Sequence, residues 1–142
     1  MIAASRLYVK TQIKKCNGDY VEIRDPFGSD DLPLSQIKNH YKLVFSPLIS
    51  ELDGNYYTDL VDCSLELYKK AGYNELTEFD DLYDLAINIK NTLLDPTFVK
   101  NSENFSDIVF QGISPEALPT NDKVFKILLT FQIRKDFKYQ GV

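Results

Sequence analysis

The chain has 142 residues and a mass of 16.3 kDa, with 44% hydrophobic, 13% aromatic and 26% charged side chains. That suffices for one packed domain burying roughly two thirds of its unfolded surface, and the usage of six Gly and six Pro excludes collagen-like and low-complexity chains. Sixteen basic against twenty-one acidic residues, a net charge of -5, argue against a surface built to grip a phosphate backbone, which needs clustered Lys and Arg.

Residues 1–16 place Ile2, Arg6, Val9, Ile13 and Cys16 on one helical face, with Lys14 and Lys15 in the last turn, where the macrodipole favours cations. Gly18 then supplies a left-handed stop. A strand with Leu7, Val9 and Ile13 on one face competes with this reading, and Asn17-Gly18 would then turn a hairpin into Tyr20-Val21-Glu22-Ile23. Ala3, Ala4, Lys10 and Gln12 are helix formers and favour the helix.

Residues 25–40 read as a wet connection punctuated by Pro26, Gly28 and Pro33, with Ser35 capping one short turn through Gln36 and Ile37. Tyr41-Lys42-Leu43-Val44-Phe45 alternates as a strand and stops at Pro47. Glu51-Leu52-Asp53-Gly54-Asn55 is read as a turn in a loop that projects. A long strand follows, with Val61, Cys63, Leu65 and Leu67 on a buried face and Asp62, Ser64, Glu66 and Tyr68 on a wet one. Residues 41–46 and 57–69 form an antiparallel pair.

Residues 76–94 carry the clearest helical stripe: Phe79, Leu82, Tyr83, Ala86, Ile89 and Leu93. Thr77 is the expected cap, and Asp95-Pro96 the stop. Phe105 to Ile113 is a mixed strand ending at Ser114-Pro115. Residues 124–135 are a strong one, with Phe125, Ile127, Leu129, Phe131 and Ile133 on one face. The fold class expected is α+β: a two-layer sandwich of one mostly antiparallel sheet, with an N-terminal helix and one long amphipathic helix on one face, in a single domain spanning 1–142.

Motifs for chemistry are missing. Cys16 and Cys63 lack metal-ligand spacing; a single disulfide is open to them, and two reduced, buried thiols are the favoured reading. The one histidine, His40, precedes a strand and reads as a surface or turn residue. Glu75, Glu78, Asp80, Asp81 and Asp84 read as a solvated helix start, since calcium loops need alternating ligands around a Gly turn. No phosphate loop, nucleophile elbow or C-x-x-C occurs. No enzyme activity, cofactor or metal is therefore expected, and no signal peptide or membrane span is read from the sequence. Arg6 with Lys10, Lys14 and Lys15, and Arg134 with Lys135 and Lys138, form small basic groups suited to a charge-balanced surface or to acids on a neighbouring copy.

The remaining signal is an excess of aromatics at loops, element ends and wet faces, among them Phe27, Tyr56, Tyr57, Tyr68, Tyr73, Phe98 and Tyr139. Such residues are enriched in protein–protein contacts. Loop placement and exposed aromatics single out Phe27, Asp30, Asp31, Glu51, Asp53, Tyr56, Tyr57, Tyr68, Arg134 and Tyr139 as candidate contact residues.

The order of elements resembles a known family. A short N-terminal helix leads into a Pro-punctuated stretch from Arg24-Asp25-Pro26-Phe27 to Leu32-Pro33. The strands Tyr41–Phe45 and Leu60–Leu67, one amphipathic helix, and a last hairpin carrying Asn121-Asp122-Lys123-Val124-Phe125 through Phe131 follow. In this the chain resembles the tail terminator (tail completion) proteins of long-tailed bacteriophages. The resemblance implies a non-enzymatic virion protein, assembled in the host cytoplasm and residing at the head–tail junction. It would form a homohexameric ring on the tail tube protein, end tube polymerisation and present a surface to a head completion or connector protein. Genomic DNA would pass through the lumen without specific binding, which an acidic chain favours by repulsion. Three other readings remain open: a different head–tail joining protein (head closure or minor tube-associated), a small host regulatory or inhibitor module, and a hydrolase using His40 with the acidic cluster.

Overall fold

The structure, a computed structural model, describes residues 2–23, 39–54, 56–70, 75–97, 107–116 and 124–138. The helix formers of the first segment carry it into α1 (Ile2–Cys16), which settles the two N-terminal readings in favour of the helix. Its buried face is Ser5, Val9, Gln12 and Ile13, rotated from the expected one, and Ile2 is exposed. The helix also ends differently from expectation. Gly18 does not adopt a left-handed φ; instead the Asn17 side chain accepts a 3.0 Å hydrogen bond from the Asp19 amide, an Asx turn.

The chain then adds a two-residue strand β1 (Val21–Glu22), which lies parallel to β2 (Asn39–Phe45) rather than forming a hairpin. His40 therefore lies within a strand, half-buried opposite Tyr68, instead of preceding one. Pro47 has no amide to give to a ladder. The strand line breaks there, and Ser46 stitches the break: its amide donates to the Asp62 carbonyl at 2.9 Å and its hydroxyl accepts from the Asp62 amide at 3.0 Å. Beyond the break the expected projecting loop is a strand, β3 (Ile49–Asp53). It pairs with the start of β4 (Tyr56–Lys70), and β2 pairs with the end of it. Gly54, at φ +58°, allows the tight reversal between Asp53 and Tyr56.

α2 (Glu75–Leu93) begins upstream of Thr77, which is exposed inside the first turn and is not its cap. β5 (Asp107–Glu116) runs through Ser114-Pro115, and as an outer strand it tolerates the proline. β6 (Val124–Lys138) pairs with β4 along its full length. The six strands form one sheet in the order β1-β2-β4-β6-β5, with β3 on the β2 side of β4. All pairings except β1–β2 are antiparallel.

Alternation decides which face is buried. Cys63, Leu65, Leu67, Ile127, Leu129, Phe131 and Ile133 project to one side and pack with Val9 and Ile13 of α1 and with Leu82, Ala86, Ile89 and Leu93 of α2. Each Val, Leu, Ile or Phe among them contributes about 1.5–3 kcal/mol by leaving water. In β5 a bulge between Phe110 and Gly112 shifts the register, so that Phe110, facing Phe131, and Ile113, facing Leu129, both reach the helix side. The arrangement is the expected α+β sandwich, with both helices on one face of a mostly antiparallel sheet.

The N-terminal helix is held by charge as well as packing. Arg6 Nη1 donates to Glu22 Oε1 at 2.6 Å, and Lys10 Nζ lies 3.2 Å from Glu22 Oε2. The Glu22 side chain is only 6% exposed, so the Arg6 contact is what makes a carboxylate acceptable there. The Arg6 guanidinium also lies 5.1 Å from the Phe45 ring centroid. Tyr8 Oη donates to the Leu93 carbonyl at 2.8 Å, capping an otherwise orphaned C-terminal acceptor of α2.

Candidate functional site

β4 and β6 are long enough to leave the shelter of the helices. The core reaches Val61 and Ile133; beyond them Tyr56–Leu60 and Arg134–Lys138 continue as a ribbon widened by β3. This end of the sheet collects exposed apolar side chains. Leu52 is 71% exposed, Ile49 57% and Tyr56 56%, and Leu48 just before β3 is exposed as well. The alternation puts Leu52 on the helix-side face beside Tyr57, and Ile49 and Tyr56 on the opposite face.

Local interactions keep the ribbon ordered without covering it. Tyr57 and Phe137, directly opposed, stack at 4.9 Å between centroids and 13° between planes. Lys135 Nζ sits 5.0 Å from the Phe137 centroid. Thr58 donates to Asp136 at 2.7 Å, and the Ser50 hydroxyl donates to Asp59. These contacts use the ribbon's own side chains, so they give it shape and leave Leu52 and Ile49 in water.

The sheet face away from the helices carries polar networks between its exposed apolar side chains Ile49, Tyr56 and Val44. Gln132 Nε2 donates to Asp62 at 3.1 Å, and Arg134 Nε donates to Gln132 at 2.8 Å. Toward the other end Lys126 is clamped by Glu66 at 2.8 Å and Glu116 at 2.9 Å, and lies 5.7 Å from the Tyr68 centroid. Burial opposes the Lys126 charge, but the two carboxylates outweigh it and hold its pKa above the ordinary lysine value. Burial first, then the Glu66 carboxylate, raises the Tyr68 phenol above its usual value. Glu51, Asp62, Glu66, Asp107, Glu116 and Asp136 are set against Lys42, Lys70, Lys126 and Arg134 on this face, a small excess of acids.

The sequence-derived contact residues divide into three groups. Glu51, Asp53, Tyr56 and Tyr57 come together on the β3–β4 ribbon, and Arg134 lies next to it opposite Leu60. Tyr68 lies at the other end of β4, half-buried under Lys126, apart from the ribbon. Phe27, Asp30, Asp31 and Tyr139 fall outside the described residues. Sequence reasoning passed over Leu48, Ile49 and Leu52, the most apolar part of the ribbon; the signal available was an apolar residue on each side of Glu51 in a stretch read as a turn.

A second exposed feature lies at the opposite end of the sheet. An open groove of about 630 Å³ runs between α1 and β1, lined by Leu7, Lys10, Lys14, Tyr20, Val21 and Tyr41 among others. Leu7 is 67% and Val21 59% exposed. Burial lifts the Tyr20 phenol to about 12.

Both thiols are free: Cys63 is buried in the core, where desolvation, only partly offset by Arg6, raises it to about 12, and Cys16 Sγ lies 3.4 Å from Thr92 Oγ1. Such a buried thiol is a poor nucleophile. Among the described residues no helix is long and apolar enough to cross a membrane.

No protein-family model and no curated protein sequence matches the chain. Among solved structures, a chain from the virion of a native gene transfer agent (GTA) particle is similar, with a TM-score of 0.59 over 91% of this chain and 92% of that one, at 14% identity. At that identity the likeness is one of fold.

Proposed function

We propose that the chain is a structural virion protein of the tail terminator type. It forms a hexameric ring on the end of a tail tube, stops the tube's polymerisation and offers the head-side proteins a joining surface. The observation that carries this reading is the fold likeness to a chain of a virion particle, which extends over 91% of this chain. Two features are in keeping with it. The bare β3–β4–β6 ribbon carries apolar residues on both faces, as expected of a segment enclosed by a partner. The open face of the sheet carries a small excess of acids, in keeping with a conduit through which a polyanion slides without sticking.

The work of such a protein is geometric. Side-to-side contacts between different patches close into a ring when the rotation between copies allows it. A ring with unlike faces accepts the tube on one side and denies the next tube subunit its docking surface on the other. No bond is made or broken, and no cofactor enters.

The test is electron microscopy of the purified protein, alone and with tail tubes, together with its mass by light scattering. Six-fold rings, free or seated on tube ends, are expected. A chain that stays monomeric at high concentration and leaves tube ends bare overturns the reading, and labelled protein found elsewhere in the particle assigns it to another joining position.

A further inference from the structure

The sheet has two long margins, and they are built differently. On one side β5 is closed to a further strand. The Ile108 amide is taken by the Asp107 carboxylate at 2.8 Å, Pro115 has no amide hydrogen, and the bulge between Phe110 and Gly112 breaks the line between them. The apolar residues Ile108, Val109, Phe110 and Ile113 of this strand are buried or half-buried. On the other side β1 covers only His40 and Tyr41 of β2, and no described strand lies outside β3. β3 holds no proline, no lysine and no bulge. The exposed Val44, Leu48, Ile49 and Leu52 follow one another along this margin. In an antiparallel ladder only alternate residues bond to the partner strand, so β3, five residues long and outermost, still turns amides and carbonyls outward.

We propose that the outer edge of β3 takes up an extended strand of a different protein, with apolar side chains beside Ile49 and Leu52 and a lysine or arginine beside Glu51. Main-chain hydrogen bonds hold such a strand and the alternating side chains select it. An added strand lies about 4.8 Å from β3, so the residues of β3 are its neighbours: Ile49 on one face, Leu52 on the other, and Glu51, exposed, between them in the chain. Arg134 and Lys135 stand on β6, beyond β4, about 14 Å from that position at the ordinary strand spacing, and leave Glu51 to set the sign of the partner. A second copy of this chain fits less well. Its β5 margin is closed, and antiparallel pairing of β3 with β3 along all five residues sets Glu51 against Glu51, a like-charge pair that a basic strand replaces with an attractive one. Sliding the pair to the next register that keeps the faces leaves only three residues of each β3 in the ladder. The edge belongs to a single copy, so the proposal does not depend on how many copies assemble.

Peptide binding to the full chain tests it. The probes are fluorescein-labelled peptides with the core Val-Thr-Lys-Val or its reverse, Val-Lys-Thr-Val, between Gly-Ser flanks, which covers both strand directions, and the same cores with Glu in place of Lys. At least one Lys core is expected to bind with a dissociation constant below about 1 mM by fluorescence anisotropy, and to slow hydrogen exchange at amides of β3 while leaving those of β5 unchanged. Glu51→Lys should weaken that peptide roughly fivefold and strengthen its Glu counterpart by a similar factor. Leu52→Lys, a change at an exposed edge position, should abolish the binding of both. The proposal is overturned if neither Lys core binds, if Glu51→Lys leaves the preference unaltered, or if the slowed amides lie outside β3. Light scattering on the chain without peptide supplies a further check: a dimer that Leu52→Lys splits gives the edge to a second copy and overturns the proposal as well. Six-copy rings that form with or without peptide binding decide the ring reading separately.

Discussion

The same two strands, β4 and β6, run through two regions that behave differently. In the helix-covered half, Leu65 and Leu129 face each other at 0% exposure under α1 and α2. In the ribbon, Tyr57 and Phe137 face each other in the same register and on the same face, yet nothing from either helix lies over them in the core cluster. Pairing, alternation and composition are continuous across the boundary. What changes is the layer above. A strand pattern therefore announces that a face needs covering, and leaves open whether the cover comes from the same chain or from another.

The largest expected difference between the regions is in stability. Leu65→Ala leaves a void under both helices and should cost roughly 2–5 kcal/mol in urea unfolding, whereas Leu52→Ala, at 71% exposure, should change the stability of the monomer by less than about 0.5 kcal/mol. Equal effects at the two sites would erase the distinction. Next in size is the charged anchor of the covered half. Arg6→Ala leaves a Glu22 side chain that is 6% exposed with Lys10 as its remaining charged partner and should cost about 2 kcal/mol, discounted because Arg6 itself is 24% exposed; a loss too small to measure would mean that the Arg6 contact does not hold α1.

A smaller effect comes from the phenols of the covered half. Tyr8 is raised to about 12 by burial and then by Asp95, and Tyr41 to about 12 by burial and then by Glu22, partly offset by Arg6. Each is protonated more tightly folded than unfolded. Its contribution is thus complete below the ordinary phenol value near 10 and is lost as the pH rises through 12. Absorbance titration should show these phenols, with Tyr20, ionising after the others and together with alkaline unfolding. Tyr8→Phe should remove one late phenol and, with it, the hydrogen bond to Leu93, at a cost of about 1 kcal/mol. Tyr8 ionising with the early group would place it outside the packed half.

Much of the covered half was legible in the sequence. The stripe Phe79, Leu82, Tyr83, Ala86, Ile89 and Leu93 and the alternation through 61–67 and 125–133 each report a period that only one kind of element satisfies. α1 was harder to read because Ser5 and Gln12 are polar residues on its buried face, diluting the apolar signal. β3 was missed because Asp53-Gly54-Asn55 is a strong turn signature and Pro47 a strong stop, which left too few residues between them to look like a strand. Its ladder exists because β4 is long enough to hold a second neighbour beyond β2. The same holds for the candidate contact site: the aromatics Tyr56 and Tyr57 were visible, but their proximity to Leu52, and the separation of Tyr68 from them, follow from the register.

The sequence alone determined the α+β class, the acidic balance and the alternation of the two long strands, because these depend on local periodicity and on counts of side chains. Only the tertiary structure decided how far along β4 and β6 the helices reach, that β1 joins β2 in parallel, and that a ribbon and a groove face outward at opposite ends. Those outcomes depend on contacts between residues distant in the chain, whose register no local pattern encodes.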